Sequence, residues 1–380
     1  MPDVIVIGLG ALGSAAAYWA ARRGLTVLGL ERFAIGHDRG ASEDRSRIIR
    51  RTYPTPEYLR FAEGAFDAWA AVEADAGERL VLRTGGLDLF PAGCVDDLHA
   101  YERAMGDAGI GFERLDPGEA MRRWPAWQLP SDVEVLFQPD AGVVAASPAN
   151  ATHRRLALER GARLLGESVV IEIVPTGGGF EVRTAADTHR ARAVVVTADA
   201  WTNELLAPLG LSFPLRVSQE QVTYYDAPDP SAFEPDAFPV WIWHSATHVY
   251  GLPSFGGPGP KVALHAGGSE TTPDTRTFQP DPGYAERVDA FVEEYLPSAM
   301  GPKLDVKTCQ YTQTPDQDFV LDRLPGFDGI AIGLGSAHAF KFASVFGRAL
   351  VELAVDGGSP WAVPRFSATR PALTDDVAAS

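Results

Sequence analysis

The fold of this chain is indicated by its first segment, Asp3-Val4-Ile5-Val6-Ile7-Gly8-Leu9-Gly10-Ala11-Leu12-Gly13. Its apolar residues predict a short buried strand, and the glycines that follow have the spacing Gly-x-Gly-x-x-Gly. In this arrangement Gly8 permits a tight turn, Gly10 lets the backbone approach a pyrophosphate, and Gly13 lets the next helix pack closely on the strand. The free N–H groups at the start of that helix attract phosphate. The segment therefore predicts a Rossmann-like dinucleotide-binding unit.

A carboxylate follows at the position that such a unit requires. The apolar run from Leu25 to Leu30 predicts a second strand, which ends on Glu31, 18 residues after Gly13. A carboxylate there accepts hydrogen bonds from the adenosine ribose hydroxyls and disfavours a 2′-phosphate. The glycine spacing alone is a weak signal, but strand, glycines, helix and acid together predict a bound dinucleotide.

The composition limits the class of protein. A chain of 380 residues is too long for one ordinary core, so we expect two domains. The net charge of −17 argues against a nucleic-acid or anionic-membrane partner. No apolar run approaches the roughly 18 residues of a membrane span, and Asp3 before the first run is unlike the basic start of a signal peptide. Two cysteines form no disulfide framework, which together with these features predicts a cytoplasmic protein.

The pattern of apolar runs predicts an α/β (α+β) fold. We expect buried strands at 193–197 and 330–333, helices at 57–75 and 343–355, and a hairpin turn at Thr176-Gly177-Gly178-Gly179 between strand-like runs. Antiparallel strands rich in aromatic residues are predicted at 219–225, 240–243, 249–252 and 261–265.

The buried strand and helix near the end of the chain indicate that its C-terminal part returns to the first domain. We therefore predict a discontinuous dinucleotide-binding domain of residues 1–85, 141–210 and 301–370. A second, antiparallel-sheet substrate domain takes residues 86–140 and 211–300.

Three later segments are more specific than the glycine spacing. They are Arg47-Ile48-Ile49-Arg50 with Tyr53, then Pro253-Ser254-Phe255-Gly256-Gly257 with Lys261 and His265, then Thr308-Cys309-Gln310-Tyr311-Thr312-Gln313-Thr314-Pro315-Asp316-Gln317-Asp318-Phe319 with Ala339-Phe340-Lys341-Phe342. With them the chain resembles, over essentially its whole length, the monomeric sarcosine oxidase and N-methyltryptophan oxidase family of flavoproteins. The resemblance implies that the dinucleotide is FAD.

The resemblance also assigns the cofactor contacts. It makes Cys309 the thiol covalently attached to the 8α-methyl of FAD, whereas a buried structural cysteine is the alternative. Cys94 has no such context and is expected to be an ordinary core or loop residue. The other residues implied to contact the cofactor are Gly8, Gly10, Ala11, Leu12, Gly13, Glu31, Arg32, Val169, Gly335 and Lys341. No metal ligand is implied.

Four residues are implied to act in catalysis. Lys261 would lie beside the flavin and promote its reaction with oxygen, because a buried ammonium stabilises the negative charge that develops there. A solvated lysine is the alternative. Arg47 would favour the reduced, anionic flavin, as would the N-terminus of the helix that follows Gly335. His265 and Tyr311 match further positions around the reacting groups.

Arg50 and Lys341 match the pair that holds the substrate carboxylate in this family. An arginine offers a planar two-pronged donor and a lysine a point charge, so together they can fix a carboxylate in a closed pocket. Either could instead belong to a structural ion pair. Tyr250 and His338 match residues that line the pocket.

Three departures from the family pattern leave the substrate open. Ser42 and Glu43 stand where a histidine pair is frequent. Ala337-His338-Ala339 replaces Gly-His-Gly, and Ala198-Asp199-Ala200-Trp201 replaces Ala-Gly-x-Trp.

The resemblance implies a monomeric FAD-dependent amine oxidase. Its small-molecule substrate would be a secondary amine with a carboxylate, oxidised to an imine that water hydrolyses to an aldehyde and an amino acid, while oxygen yields hydrogen peroxide. A cyclic imino acid such as pipecolate is an alternative substrate, and a dehydrogenase that uses another acceptor is an alternative enzyme. The glycine pattern alone also admits an NAD-dependent enzyme or a non-catalytic dinucleotide ligand.

Overall fold

The structure is a computed structural model that describes residues 1–374. Six strands form a sheet around the first strand, Val4–Ile7, which lies parallel to both of its neighbours. In sheet order they are Val320–Arg323, Ile330–Leu334, Ala193–Val196, Val4–Ile7, Val27–Leu30 and Arg163–Leu165. Only the edge strand Val320–Arg323 is antiparallel to its neighbour. This sheet confirms the Rossmann-like α/β fold that the glycine segment predicts.

Helices with small residues pack closely on this sheet. Ala11–Arg22 contacts Ala146–Glu159 and Ala343–Asp356, and the last of these also contacts Pro56–Ala76. A Cβ added at Gly347 would lie 2.4 Å from the backbone nitrogen of Ala16, so two of the helices meet backbone to backbone. The C-terminal helix therefore returns to the N-terminal unit.

A second sheet contains nine strands. Eight of its strands are, in order, Ser269–Glu270, Arg216–Tyr225, Lys261–Leu264, Val249–Leu252, Val240–Trp243, Gly86–Phe90, Glu134–Gln138 and Glu113–Leu115. The ninth, Lys303–Gln313, pairs with Arg216–Tyr225. The sheet is antiparallel as predicted, except that Val240–Trp243 runs parallel to Gly86–Phe90. The helix Pro282–Tyr295 packs on it around Trp241 and Phe291.

Two small sheets and several short helices complete the described residues. The predicted hairpin is present, with Thr176 paired to Gly179 in the sheet Val170–Thr176, Gly179–Thr184 and Thr188–Ala191. The other sheet contains Ser46–Ile49, Gly142–Ala145 and Val81–Arg83. The remaining α-helices are Leu98–Asp107, Pro117–Arg123, Thr202–Leu206 and Pro371–Thr374.

The elements predicted from apolar runs agree with the structure to within three residues at each end. The division into two domains stays a prediction. Within residues 1–374 no helix is both long enough and apolar enough to cross a membrane.

Candidate active site

A cavity of about 460 Å³ lies where strands of the six-stranded sheet end against the nine-stranded sheet. Loops that follow the strands Val4–Ile7, Val27–Leu30, Ala193–Val196 and Ile330–Leu334 line one side. Ligands bind at this edge of open α/β sheets. The cavity wall includes the following predicted residues: Gly8, Gly10, Ala11, Leu12, Glu31, Arg32, Arg47, Arg50, Val169, Tyr250, Lys261, His265, Cys309, Tyr311, Gly335, His338 and Lys341.

The glycine loop has the geometry of a phosphate-binding turn. Gly8 has a φ of +86°, and a Cβ added at Gly13 would lie 1.8 Å from the carbonyl oxygen of Gly8, so both positions require glycine. A Cβ at Gly10 would lie 2.8 Å from Ser42 Oγ, which accepts a hydrogen bond from the N–H of Ala11 at 2.9 Å. Ser42, one of the departures from the family pattern, thus packs on the start of the helix.

Glu31 is held at the end of the second strand, as predicted. Its Oε2 accepts the N–H of Leu9 at 2.7 Å, and its Oε1 accepts the N–H of Phe33 at 3.1 Å and lies 3.2 Å from His37 Nε2. Burial acts to raise the pKa of Glu31, but these contacts hold it below its usual value. The carboxylate therefore fixes the glycine loop, and a role toward a ribose stays a prediction. Arg32 pairs with Glu204 at the cavity wall.

Lys261 and Arg47 share one buried carboxylate. Lys261 Nζ donates to Asp44 Oδ2 at 2.5 Å and to the carbonyl oxygen of Ser46 at 3.0 Å, and Arg47 Nη1 donates to Asp44 Oδ2 at 2.7 Å. Tyr224 Oη donates to the other oxygen at 2.7 Å. Burial alone would raise the pKa of Asp44, but the two cations hold it far below its usual range. Lys261 is 1% exposed, which excludes the solvated alternative.

Cys309 lies in the strand Lys303–Gln313, opposite Glu220 of the neighbouring strand. Its thiol borders the same cavity as Arg47 and Lys261. Burial raises the pKa of the Cys309 thiol to about 11, which nearby Arg47 partly opposes. Cys94 lies away from this cavity, with its thiol 3.4 Å from the carbonyl oxygen of Asp96.

Arg50 and Lys341 both line the cavity but differ in their partners. Arg50 Nη1 donates to Asp88, which is 2% exposed, so Arg50 forms an ion pair as the alternative interpretation allowed. Its Nε has no hydrogen-bond partner among the described residues. Lys341 Nζ donates to the carbonyl oxygen of His338 at 3.1 Å. Burial, with the repulsion of Arg50 and Arg47, lowers the pKa of Lys341 to about 7.

Two tyrosines and two histidines surround these cations. Burial lowers the pKa of His265 to about 3 and that of His338 well below its usual value, so both rings are neutral near pH 7. His265 and Tyr311 lie with ring centroids 5.5 Å apart. Burial raises the pKa of Tyr250 and Tyr311. These four groups therefore offer neutral hydrogen-bonding edges rather than charge.

Two of the other departures from the family pattern, Ala337 and Asp199, lie where the backbone is left-handed, whereas Ala339 does not. Ala337 has a φ of +71° and Asp199 a φ of +47°, positions that favour glycine. Burial raises the pKa of Asp199 to about 6. The structure places both residues on the cavity wall.

Asp44 and Asp88 are the site residues that the sequence analysis missed. Asp88 does leave a signal, because it is a single acid inside the apolar strand Gly86–Phe90. A buried charge at such a position requires a partner. Asp44 stands in a polar segment and gives no comparable signal.

Comparison with known proteins gives a consistent result. The family described as FAD dependent oxidoreductase matches residues 3–353. Monomeric sarcosine oxidase of Arthrobacter sp. (strain TE1826) is 32% identical over 98% of this chain and 97% of its own. N-methyl-L-tryptophan oxidase of Yersinia pseudotuberculosis serotype O:1b is 30% identical over 97% and 99%. The solved structure of NikD, an unusual amino acid oxidase, aligns with a TM-score of 0.85 at 25% identity, covering 96% of this chain and 97% of that one.

Proposed function

The chain belongs to the family of FAD dependent oxidoreductases, and we propose that it oxidises a secondary amine that carries a carboxylate, such as an N-methyl amino acid. The observation that carries this proposal is the convergence of a phosphate-binding glycine loop, Cys309, Lys261 and the cations Arg50 and Lys341 on one cavity. Relatives named sarcosine oxidase and N-methyl-L-tryptophan oxidase support this substrate class.

The residues present fit FAD. Glycines stand where a Cβ would block the turn, and the start of the helix Ala11–Arg22 presents N–H groups for a pyrophosphate. Gly8 to Gly13, Glu31, Arg32, Val169 and Gly335 would hold the dinucleotide. FAD, when bound, supplies the two-electron acceptor for oxidation of the C–N bond.

The chain itself would orient the substrate and supply charge. Lys341 and Arg50 would hold the carboxylate, with Arg50 using the guanidinium N–H groups that do not bond to Asp88. The amine would be enclosed by Tyr250, His265, Tyr311 and His338. Because His265 and His338 are neutral near pH 7, they would add no positive charge around the amine. The product imine would hydrolyse in water to an aldehyde and an amino acid.

Arg47 and Lys261 would stabilise negative charge during transfer of electrons to oxygen, which gives hydrogen peroxide. Asp44 is buried and is hydrogen-bonded to both cations, so they need little reorganisation. A dehydrogenase that uses another acceptor is the alternative, and peroxide yield under air separates the two.

We propose that Cys309 is attached covalently to FAD. Its place on the wall of the cavity that Arg47 and Lys261 also line supports this, because both cations oppose the rise in the pKa of the thiol that burial causes. Acid-precipitated wild-type protein should keep its flavin, and Cys309→Ala should release it. Cys94→Ala is the matched control and should keep it. Flavin released from the wild type would contradict the attachment.

The substrate class is tested by anaerobic reduction of the purified holoenzyme. Sarcosine, N-methyl-L-tryptophan and pipecolate should be compared with amines that lack a carboxylate. Bleaching of flavin absorbance by one of the acids, with peroxide formed on admission of air, is the expected result. The acid that bleaches fastest decides between an N-methyl amino acid and a cyclic imino acid. Bleaching by none of the amines would contradict the proposal.

We propose that this enzyme of a small-molecule substrate acts as a monomer in the cytoplasm. Relatives named monomeric sarcosine oxidase support the monomeric state. Size-exclusion chromatography with light scattering should give about the mass of one chain.

A further inference from the structure

Three side chains with metal-binding atoms converge beside the cavity. They are Asp96, His244 and His248, and we refer to them as the Asp96 cluster. Asp96 Oδ2 lies 3.0 Å from His244 Nδ1 and 2.9 Å from His248 Nε2, and all three ligand atoms lie within 4.8 Å of one another. We infer that the Asp96 cluster binds one divalent metal ion of the Zn²⁺ type.

The backbone brings the two histidines together. The strand Val240–Trp243 ends directly before His244, and Val249–Leu252 begins directly after His248. These two strands pair antiparallel. The tight turn between them places the two rings with centroids 5.1 Å apart. Asp96 reaches them from the loop before the helix Leu98–Asp107.

His244 has the second contact that is typical of a metal ligand. Its Nε2 lies 2.8 Å from Asp88 Oδ1, and its ring stacks on Phe90 at a centroid distance of 4.1 Å and an angle of 7°. Metal-bound histidines usually donate their other ring N–H to a carboxylate, which fixes the tautomer and the ring orientation. Asp88 would do this here, and it would leave the Nδ1 lone pair facing the ion.

The opposite side of the Asp96 cluster is accessible. The side chains of His248 and Asp96 are 29% and 24% exposed, whereas that of His244 is 1% exposed. An ion can therefore enter from solvent, and water can complete its coordination. Bonds of about 2.0–2.1 Å place tetrahedral ligands about 3.3–3.4 Å apart, so Asp96 Oδ2 needs to move away from each histidine nitrogen by only about 0.3–0.5 Å. Two nitrogens and one carboxylate oxygen suit Zn²⁺.

The charges near the Asp96 cluster also favour a cation. Asp88 is balanced by Arg50, so Asp96 gives the ligand set one negative charge of its own. The sequence does not predict these metal ligands, because 148 positions separate Asp96 from His244 and no local pattern joins them. The spacing of His244 and His248 alone does not predict a metal site.

Zinc binding to the holoenzyme tests the inference directly. After removal of metal with a chelator, calorimetric titration with ZnCl₂ should show one ion bound per chain. Asp96→Asn and His248→Ala should each weaken binding by at least about 100-fold, and Asp88→Asn by about 10–100-fold. His99→Ala is the matched control, because His99 pairs with the single carboxylate of Glu102 at 2.8 Å. It should bind zinc like the wild type.

Two results would overturn the inference. One is the absence of zinc binding in the wild type at micromolar concentration, and the other is binding that Asp96→Asn and His248→Ala leave unchanged. The three side chains would then form a hydrogen-bond network only. The experiment measures the heat of metal binding, so its result does not depend on whether the protein oxidises amines.

Discussion

Two lysines line the same cavity in different surroundings, with Lys261 fully buried and Lys341 partly buried. Lys261 has its own counter-ion, because its Nζ lies 2.5 Å from Asp44 Oδ2. Lys341 has a carbonyl oxygen at 3.1 Å and, within residues 1–374, no carboxylate partner. Burial lowers the pKa of both, and that of Lys341 reaches about 7. The comparison shows that the fold pairs Lys261 with a carboxylate and, within residues 1–374, leaves Lys341 without one.

The largest effect is expected at the lysine with the fixed charge. Lys261→Met keeps much of the volume and removes the ammonium that would stabilise charge on oxygen. Removing one such preorganised group typically costs about 10²–10³-fold in rate. Stopped-flow reoxidation of the reduced holoenzyme should slow by that factor, while reduction by substrate changes much less.

Lys303→Met provides the control for this prediction. Lys303 is a partly exposed lysine that pairs with Asp289 at 2.6 Å, so it also loses an ion pair on substitution. It should reoxidise like the wild type. Reoxidation of Lys261→Met at the wild-type rate would remove Lys261 from this role.

The second effect concerns the lysine without a counter-ion. Lys341→Met should raise the Kd of small carboxylates by about one to two decades, because a charge-assisted hydrogen bond contributes about 1.5–3 kcal/mol. Arg50→Ala should act in the same direction, and the two effects need not add. Absorbance titration of the oxidised flavin measures both, with Lys307→Met as a surface control.

The pH dependence of this binding has a definite sign. Protonated Lys341 would bind the ionised carboxylate, so affinity should be highest between the carboxyl pKa of about 4–5 and the Lys341 pKa of about 7, and should fall above the latter by up to tenfold per pH unit. Lys341→Met should remove this dependence. An unchanged slope in the variant would assign the titration to another group.

Stability should respond to the two lysines with opposite signs. Folding lowers the pKa of Lys341 from 10.5 to about 7, so the unfolded state binds more protons between these pH values and wild-type stability rises with pH there. Lys341→Met removes that cost and should raise the melting temperature at pH 7. Lys261→Met leaves Asp44 with fewer partners and should lower it. Equal shifts in thermal unfolding would contradict the contrast.

The smallest effect is expected in the segment before Lys341. Ala337 has a φ of +71°, which costs a non-glycine residue about 1 kcal/mol. Ala337→Gly should raise the melting temperature slightly and leave the Kd of carboxylates unchanged. Ala339→Gly, in a 3₁₀ turn without a left-handed backbone, should give no gain. A loss of stability in Ala337→Gly would refute the account of this position.

The same contrast explains what the sequence could predict. The glycine loop and Glu31 follow from local patterns, and the resemblance added Cys309, Lys261 and Lys341. The counter-ions did not follow, because they depend on contacts between distant segments. Asp44 meets Lys261 across 217 positions and Asp88 meets His244 across 156. The resemblance thus identifies the cations, whereas only the folded chain shows which of them already have a carboxylate partner.

We propose above that Lys341 and Arg50 bind the carboxylate of the substrate. Acetate and acetamide have nearly the same shape and differ in charge, so their binding to the oxidised holoenzyme at pH 6.5 tests it most directly. Acetate should perturb the flavin spectrum with a Kd at least about tenfold lower than that of acetamide, and Lys341→Met should reduce the difference. Equal affinity of the wild type for the two ligands would contradict the claim.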